Sequence, residues 1–597
     1  MQREKPLADQ PTPAEVIAPA PRRRRLRWRI VLAAAAVLLV AFYLFVTLRG
    51  ARDYRGELAA LLPARTSGFA VLNDFDGIRR HIGQTRLYDE LSNSIDLAAL
   101  LMTNEDWRKY QENKDSVESK AKAALAREFL RRYFSQEVVV ALARLDRCDE
   151  PALLVMARTD LGFAEKLGEL CAQLYPELHL SSENYRGVLL YAYEAPQSKR
   201  SFTYVRFGKT VAISLLSNER DYLRRIIDYR LDGPAETLFR TDDFQRAWRS
   251  PARRQGLLLV ARPTALIRDM LARPDFHLRD NLAKPGFMRI RYALSGFRFL
   301  QAAVTVRERI EIRFDAHPDP TTAPVTTLAP PTQPLAMLET VPSDSLGCVV
   351  LRYGNLAETL ARILNIHLVF DRKAADPEAL AEAVGRLNRE WGLDINRDLA
   401  PALDPEMALV IHGVQLPMLV VASLMFPVAD RPRAESAINQ MLKNHASLDL
   451  AGKRPAAVPA TFRQVPEFQP LSPTPLGFLG VGWLDRFCIL GLSPDSYLAM
   501  KQMIERKGQP ITRQPIFRSL GLPVGEPLDA LAFVDLEEIG RRAEGLLAVL
   551  SLASKSVRQK SATYGKIVAV VKLLRGVGLY ARHTHDDWTI VLRVPTQ

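Results

Sequence analysis

The stretch that decides the fold is Pro63-Ala-Arg-Thr-Ser-Gly68-Phe-Ala-Val-Leu72, which has a near copy in the second half of this 597-residue chain. The copy is Pro342-Ser-Asp-Ser-Leu-Gly347-Cys-Val-Val-Leu351, and its proline, its glycine and its last leucine are identical without a gap. Each stretch ends in an apolar run that is typical of a buried strand. We therefore interpret the two stretches as the first strands of two related domains.

Five further matches follow in the same order along the two halves of the chain. They pair Glu137–Leu142 with Glu406–Ile411, Pro151–Ala157 with Pro417–Ser423, Val205–Ile213 with Val481–Ile489, Tyr222-Leu223 with Tyr497-Leu498, and Gly256–Val260 with Leu528–Ala532. Each half also closes with a predicted strand pair, 297–314 and 578–594. This collinear series predicts a duplicated domain.

The predicted strands are β-branched and apolar, and several are joined by short turns such as 145–150. Short turns connect antiparallel neighbours. The sequence therefore predicts an α+β fold with tandem duplicated domains, each an antiparallel or mixed sheet with helices packed on one face. The domains are predicted at 60–316 and 337–597, with a Pro/Thr-rich linker at 317–336. The charged stretch 104–132 predicts an amphipathic helical pair.

The segment from Ile30 to Leu48 contains 19 residues without a charge. As a helix it would span about 28 Å, close to the thickness of a bilayer's hydrocarbon core. A cleaved signal peptide is the competing interpretation, but the run ends in Phe45-Val-Thr-Leu-Arg49, a poor cleavage site. The sequence therefore predicts one transmembrane helix at 30–48, with the lipid bilayer as its partner.

The arginines before this segment predict its orientation. They are Arg22, Arg23, Arg24, Arg25, Arg27 and Arg29. Because cytoplasmic flanks carry the excess of positive charge, we expect the N-terminus in the cytoplasm and the rest of the chain across the membrane. Residues 1–29 are basic and rich in proline, so we expect a disordered tail. The formal net charge of +14 is densest beside the apolar segment, which argues against nucleic-acid binding.

The four cysteines are Cys148, Cys171, Cys348 and Cys488. No two have the C-x-x-C spacing of a zinc ribbon or a redox site. We interpret them as small buried residues, and a disulfide between Cys148 and Cys171 in an oxidising compartment is the alternative.

A longer motif in the second half suggests a family. The run Trp391-Gly-Leu-Asp-Ile-Asn-Arg-Asp398-Leu-Ala-Pro401-Ala-Leu-Asp-Pro-Glu406-Met-Ala-Leu resembles an element of bacterial extracytoplasmic proteins catalogued as a domain of unknown function (family 3352). The resemblance covers most of 60–597, although the first half lacks the Gly-Leu-Asp lead before Glu137. It implies a single-pass protein of the bacterial inner membrane with its bulk in the periplasm. It implies no catalytic residue, because the family has no established activity.

Three patterns resemble sites for chemistry. Phe207-Gly208-Lys209-Thr210 lacks the upstream glycine of a phosphate loop, and we predict a hairpin turn there. His583, His585 and Asp587 could hold a metal ion, but the pattern favours an exposed polar turn. The acidic pairs Asp242-Asp243 and Glu537-Glu538 are typical of helix starts.

Glu137 and Glu406 each precede an apolar strand at matching positions. A shared acid site is one interpretation, and a hydrogen bond at the strand entry is the plainer one. No catalytic constellation or cofactor site emerges, so we predict a non-enzymatic binding or scaffolding protein with an extracytoplasmic protein partner. The alternative is a small-ligand carrier or hydrolase-type enzyme with a pocket within or between the two domains.

Overall fold

The computed structural model describes residues 56–73, 136–159, 179–272, 294–319, 329–364, 377–447, 460–553 and 571–595, with short gaps inside some ranges and a few single residues between them. The predicted tail 1–29, the predicted transmembrane helix 30–48 with its flanking arginines, and the predicted helical pair 104–132 lie outside these residues. Within the described ranges, no helix has the length and apolar character needed to cross a bilayer.

The described strands fall into a first half, residues 56–319, and a second half, residues 329–595. The strands of the first half are β1 Thr66–Asn73, β2 Val138–Ala143, β3 Ala152–Arg158, β4 His179–Tyr185, β5 Val188–Glu194, β6 Ser201–Phe207, β7 Thr210–Leu215, β8 Gly256–Ala261, β9 Phe297–Val306 and β10 Arg309–Pro318. Those of the second half are β11 Gly347–Arg352, β12 Glu406–Gln415, β13 Leu419–Pro427, β14 Phe468–Thr474, β15 Gly477–Leu484, β16 Phe487–Gly491, β17 Ala530–Asp535, β18 Gly576–His583 and β19 Trp588–Pro595.

The helices lie between these strands. In the described residues they are α1 Asp221–Asp232, α2 Asp242–Trp248, α3 Pro263–Leu271, α4 Leu356–Leu364, α5 Pro377–Trp391, α6 Arg431–Ser447, α7 Pro494–Ile504, α8 Pro515–Ser519 and α9 Leu536–Ala553. The acidic pairs Asp242-Asp243 and Glu537-Glu538 occupy the first turns of α2 and α9, as predicted. Thr241 caps α2 by accepting a hydrogen bond from the amide of Phe244.

All pairings between the strands are antiparallel, and they connect the two halves into one sheet. The α+β class and its antiparallel sheet are therefore confirmed. The halves meet where β10 pairs with β19, from Arg309 opposite Pro595 to Ala316 opposite Trp588. Side chains reinforce this junction, since Arg593 Nε donates to Glu311 Oε2 at 2.8 Å.

The strand order is the same on both sides of the junction. From β10 outward, the first half runs β9, β8, β1, β2, β3, β7, β6, β5 and β4. From β19 outward, the second half runs β18, β17, β11, β12, β13, β16, β15 and β14. The two orders correspond strand for strand, and β4 is an additional strand at the outer edge of the first half.

The outer strands differ in number between the two halves. Four strands, β4–β7, lie between β3 and α1, and three strands, β14–β16, lie between β13 and α7. The turn predicted at Gly208-Lys209 is confirmed, because β6 ends at Phe207 and β7 begins at Thr210. This segment is therefore a hairpin and not a phosphate loop.

The predicted placement of helices on one face of the sheet was wrong. Alternate residues of β12 belong to two different cores: Ala408 and Val410 pack with α7 and α8, while Met407 packs with α4, α5 and α6. Successive side chains of a strand point to opposite faces, so helices cover both faces of the second half. This explains why β12 reads as a continuous apolar run instead of an alternating one.

The glycine shared by the two matching stretches has a packing role. A Cβ atom on Gly68 would lie 3.3 Å from the carbonyl oxygen of Val260, and one on Gly347 would lie 2.7 Å from that of Phe533. Both carbonyls belong to the neighbouring strand, β8 or β17. The identity at this position follows from the same close approach of backbone in both halves.

Candidate functional site

The two acids that open matching strands bind backbone amides. Glu137 Oε1 accepts a hydrogen bond from the amide of Leu58 at 3.2 Å, and Glu406 Oε1 accepts one from the amide of Met337 at 2.7 Å. These amides belong to the first turns of two 3-10 helices, Leu58–Leu61 and Ala336–Thr340. Such amides have no partner within their own helix. The predicted hydrogen-bonding role at the strand entry is therefore confirmed for both acids.

An arginine lies near each of these acids, but the two arginines come from strands that do not correspond, β3 in the first half and β11 in the second. Arg158 of β3 donates to Glu137 Oε2 at 2.8 Å and to a carbonyl two residues before the first 3-10 helix at 2.5 Å. Arg352 of β11 donates to Pro334 O at 3.0 Å, two residues before the second. Burial raises the pKa of Glu406, and the charge of Arg352 partly opposes that shift. Both acids therefore fix the position of the 3-10 helix that precedes the first strand of their half.

The histidine-rich turn does not bring its described residues to one point. His583 Nδ1 lies 2.8 Å from Asp529 Oδ1, whereas Asp587 Oδ1 lies 2.5 Å from His317 Nδ1 on β10. His585 lies outside the described residues. Across the described ranges, no group of three histidine, cysteine or acidic side chains has the arrangement of a metal site. Asp587 instead joins the two halves through His317.

The described cysteines, Cys148, Cys348 and Cys488, are buried. Burial raises the pKa of the Cys348 and Cys488 thiols to about 12, so both stay protonated at neutral pH. A thiol that stays protonated is a poor nucleophile. Cys171 lies outside the described residues, so its pairing with Cys148 stays a prediction.

A charged cavity of about 700 Å³ lies in the first half, beside α1. Its polar lining consists of four arginines, two aspartates and two tyrosines: Arg65, Arg144, Arg224, Arg225, Asp221, Asp228, Tyr185 and Tyr229. Its size falls within the usual range for small-molecule sites. Four guanidinium groups and two carboxylates therefore face this space. We call this cavity, with its eight polar lining residues, the arginine cleft.

Helix α1 supplies five of these eight residues. Its apolar side chains at Leu223, Ile226 and Ile227 are fully buried against the sheet. Positions 221, 224, 225 and 228 have helical spacing and share the opposite face. Tyr222 fixes the helix to the turn between β2 and β3, because its hydroxyl donates to Glu150 O at 2.7 Å. The amphipathic pattern of α1 therefore directs its charged face into the cleft.

The additional strand β4 forms the other wall and orients the helix charges. Glu183 accepts two hydrogen bonds from Arg224 Nη2, at 2.7 and 2.9 Å. This interaction holds the pKa of Glu183 below its usual value, so the carboxylate stays ionised. The hydroxyl of Tyr185 donates to Asp228 Oδ1 at 3.2 Å, and burial together with the Asp228 charge raises the pKa of Tyr185. Tyr185 therefore stays protonated as a donor.

Two arginines of the cleft retain unused donors. The Nε atom of Arg144 lies 3.3 Å from Asp269 Oδ1, but neither of its Nη atoms donates a hydrogen bond to a described residue. Arg225 is exposed and has no ion pair with a carboxylate in the described part of the chain. A guanidinium group with free donors is suited to bind an anion.

The second half has no counterpart of the arginine cleft in its described residues. Asp344 stands where the matching stretch of the first half has Arg65. The strand pairings place Gly413 where β2 leads to Arg144. Helix α7 contains no arginine, and no strand corresponds to β4 among the described residues. The cleft is thus a feature of one half of a shared framework.

The sequence reasoning did not identify the arginine cleft. The candidate sites in the sequence were Glu137, Glu406 and the histidine-rich turn, and the structure does not bring these residues together. One signal was visible: within the otherwise matching stretches, Arg65 and Asp344 carry opposite charges. A charge reversal in a repeated motif indicates a position that the framework leaves open for another role.

No protein-family model, curated protein or solved structure matches the chain.

Proposed function

We propose that this chain is a membrane-anchored extracytoplasmic binding protein and that the arginine cleft is its binding site. The uncharged segment 30–48 and the arginines before it support the anchor and its orientation. The observation that carries the binding role is the cavity of about 700 Å³ lined by four arginines, two of them on α1 and one beside each of β1 and β2. The proposed setting is the periplasmic side of a bacterial inner membrane, as the family resemblance implies.

We also propose that the two halves arose by duplication and that the second half acts as the scaffold. The equal strand order, the two acids at the 3-10 helices and the glycine in each first strand support this origin. A duplicated framework with one specialised half suits a binding protein, because the other half can hold a partner or stabilise the sheet. A protein partner stays part of this proposal.

The arrangement of the cleft favours ligand binding over the hydrolase-type alternative. Its arginines are cations, its two tyrosines have apolar rings, and Glu183 and Asp228 already accept hydrogen bonds from neighbouring residues. Hydrolysis by a side chain requires a base aimed at a nucleophile. The small-ligand carrier that the sequence left open is therefore the version of the function that we propose.

A reporter fusion tests the anchor. Alkaline phosphatase is active only after export, so a fusion after Ala60 should be active, and a cytoplasmic reporter at the same place should be inactive. A fusion after Leu26 is the control and should give the opposite result. An inactive phosphatase fusion after Ala60 would exclude the proposed orientation.

Site-specific photo-crosslinking in cells tests the cleft as the binding site. A photoreactive amino acid at Arg225 should give a discrete adduct, which Arg65→Asp should remove. The matched control is Leu498, an exposed position on α7 of the second half. Equal labelling at both positions, or no discrete adduct at Arg225, would contradict the proposed site.

A further inference from the structure

We propose that the arginine cleft binds a phosphate ester. This inference rests on the proposed function and names the ligand class of the same site. Three arginines line the cavity from different elements: Arg65 precedes β1, Arg144 follows β2, and Arg225 lies on α1. The guanidinium groups therefore approach the cavity from three separate elements of the fold.

The number of arginines distinguishes a phosphate from a carboxylate. A carboxylate is planar and has two oxygen atoms, which one or two guanidinium groups saturate. A phosphate monoester carries three strong acceptor oxygens in a tetrahedral arrangement. Arg65 and Arg144 lie side by side at one end of β1 and β2, since the Arg144 amide donates to Arg65 O at 3.4 Å, and Arg225 lines the cavity from α1. Three guanidinium groups match three acceptor oxygens better than two.

The fourth arginine has a different part. Arg224 is held by the bidentate contact with Glu183 and by Asp221, whose Oδ1 lies 2.8 Å from Arg224 Nη1. It therefore contributes fixed positive charge while Arg225 and Arg144 keep donors for the ligand. The acids that pair with Arg224 also limit the net charge, which favours one phosphate group over a polyanion.

The remaining space indicates that the phosphate carries an organic group. A cavity of about 700 Å³ is far larger than one phosphate group, and Tyr185 and Tyr229 line it beside the arginines. Tyrosine rings offer apolar contact area with a polar edge. Two sources share this chemistry: a soluble phosphate monoester, and the headgroup of phosphatidic acid, also a phosphate monoester, in the membrane that the chain is proposed to occupy.

Binding measurements on the full-length chain in neutral phosphatidylcholine nanodiscs test the proposal. One arm titrates glycerol 3-phosphate by calorimetry, and the other measures retention on vesicles that contain phosphatidic acid. Saturable binding in the first arm alone indicates a soluble ester, and binding in the second indicates a headgroup; either supports phosphate recognition. Absence of saturable binding in both arms would overturn the proposal.

Variants make the test specific to the cleft. We expect Arg65→Asp to weaken binding by at least 100-fold, because it reverses a charge of the lining, and Arg225→Gln by about 10-fold, because it loses charge-assisted hydrogen bonds. Asp344 occupies the position equivalent to Arg65, so the framework accepts an aspartate there. Arg249→Gln, an exposed arginine outside the cleft, is the control and should bind like the unaltered chain. Equal weakening by Arg249→Gln would contradict the assignment.

The two proposals fail in different ways. If no phosphate binds but the discrete adduct at Arg225 persists in cells, the cleft binds another ligand and only the ligand class is wrong. If both the adduct and phosphate binding are absent, the proposed binding site is wrong as well.

Discussion

The outer strands of the two halves follow one order but hold different side chains against their helices. In the second half, Phe468 of β14 stacks between Phe462 and Tyr497, with ring centroids 5.4 and 5.1 Å apart. In the first half, the corresponding strand β5 pairs with β4, whose Glu183 binds Arg224 of α1. One framework thus supports a packed aromatic core on one side and a charged cleft on the other. Strand order places a site but does not determine its chemistry.

Glycines permit the aromatic core of the second half. A Cβ atom on Gly480 would lie 2.5 Å from Phe468 Cε1, and one on Gly482 would lie 2.8 Å from Tyr497 Cδ2. The hairpin registers place Thr203 and Val205 at these positions in the first half. In the second half, aromatic rings therefore fill the space next to these strand positions. In the first half, the strand itself carries larger side chains there.

The largest expected effect comes from replacing Gly482 by valine, the residue at the equivalent position of the first half. Gly482→Val places a branched side chain against Tyr497 in a filled core, and we expect a loss of about 3 kcal/mol in the free energy of unfolding. Denaturant unfolding of the purified chain measures it. Gly525→Ala is the control, because a Cβ atom there meets nothing within 4 Å, and it should change stability by less than about 0.5 kcal/mol. Equal stability of the two variants would show that the aromatic core is not packed as described.

A pH effect of similar size is expected from the second half. Burial lowers the pKa of His412 from 6.5 to about 4. The folded state therefore prefers the neutral ring, so the contribution to stability is complete above pH 6.5 and is lost as the pH falls from 6.5 towards 4. The loss should be at most about 3 kcal/mol.

His412→Gln should flatten that part of the stability profile, measured by denaturant unfolding between pH 4 and pH 7. The strand pairings place Ala143 at the equivalent position of the first half, so this titration belongs to the second half alone. A profile that keeps its slope between pH 4 and 6.5 in His412→Gln would show that another group titrates there.

A smaller effect should be shared by both halves. Glu137→Ala and Glu406→Ala each remove the acceptor for an amide of a 3-10 helix, and we expect each to cost about 1–2 kcal/mol in the free energy of unfolding. Glu382→Ala is the control, because that residue is exposed and pairs with Arg386 along its own helix. A cost confined to one of the two acids would weaken the equivalence of the halves.

The first strand of each half could be predicted from the sequence because its residues meet the same packing constraint in both halves. The match of Pro63–Leu72 with 342–351 reflects the same strand and the same close backbone contact in both halves. The sequence matches were less accurate in assigning equivalent residues on the strands further from β1 and β11. The strand pairings equate Met156 with Met425, whereas the sequence match aligns it with Ala422, because β12 and β13 form a longer hairpin with an irregular register at Ile411 and Gly413.

The outer strands and the arginine cleft could not be predicted from the sequence, and the reason is physical. The strand β4, His-Leu-Ser-Ser-Glu-Asn-Tyr at 179–185, is mostly exposed and has no alternation of apolar and polar residues. Its role depends on pairing with β5 and on the contact of Glu183 with Arg224, 41 residues away in the sequence. An interaction between distant charged side chains leaves no periodic pattern to detect.

The pairing of β10 with β19 joins the two compared halves into one sheet. Phe314 and Ile590 lie directly opposite each other in this pair, and both are exposed. Opposite residues in antiparallel strands have Cβ atoms about 4.5–5.5 Å apart, close enough for a disulfide after minor adjustment.

Mild oxidation of the Phe314→Cys, Ile590→Cys double variant, followed by cleavage in the segment 320–328 between the halves, tests this pairing directly. We predict that the two halves stay covalently linked until a reductant is added. The control replaces Val591, which is buried on the other face, in place of Ile590 and should not link. Separation of the oxidised Phe314→Cys, Ile590→Cys halves without reductant would contradict the account.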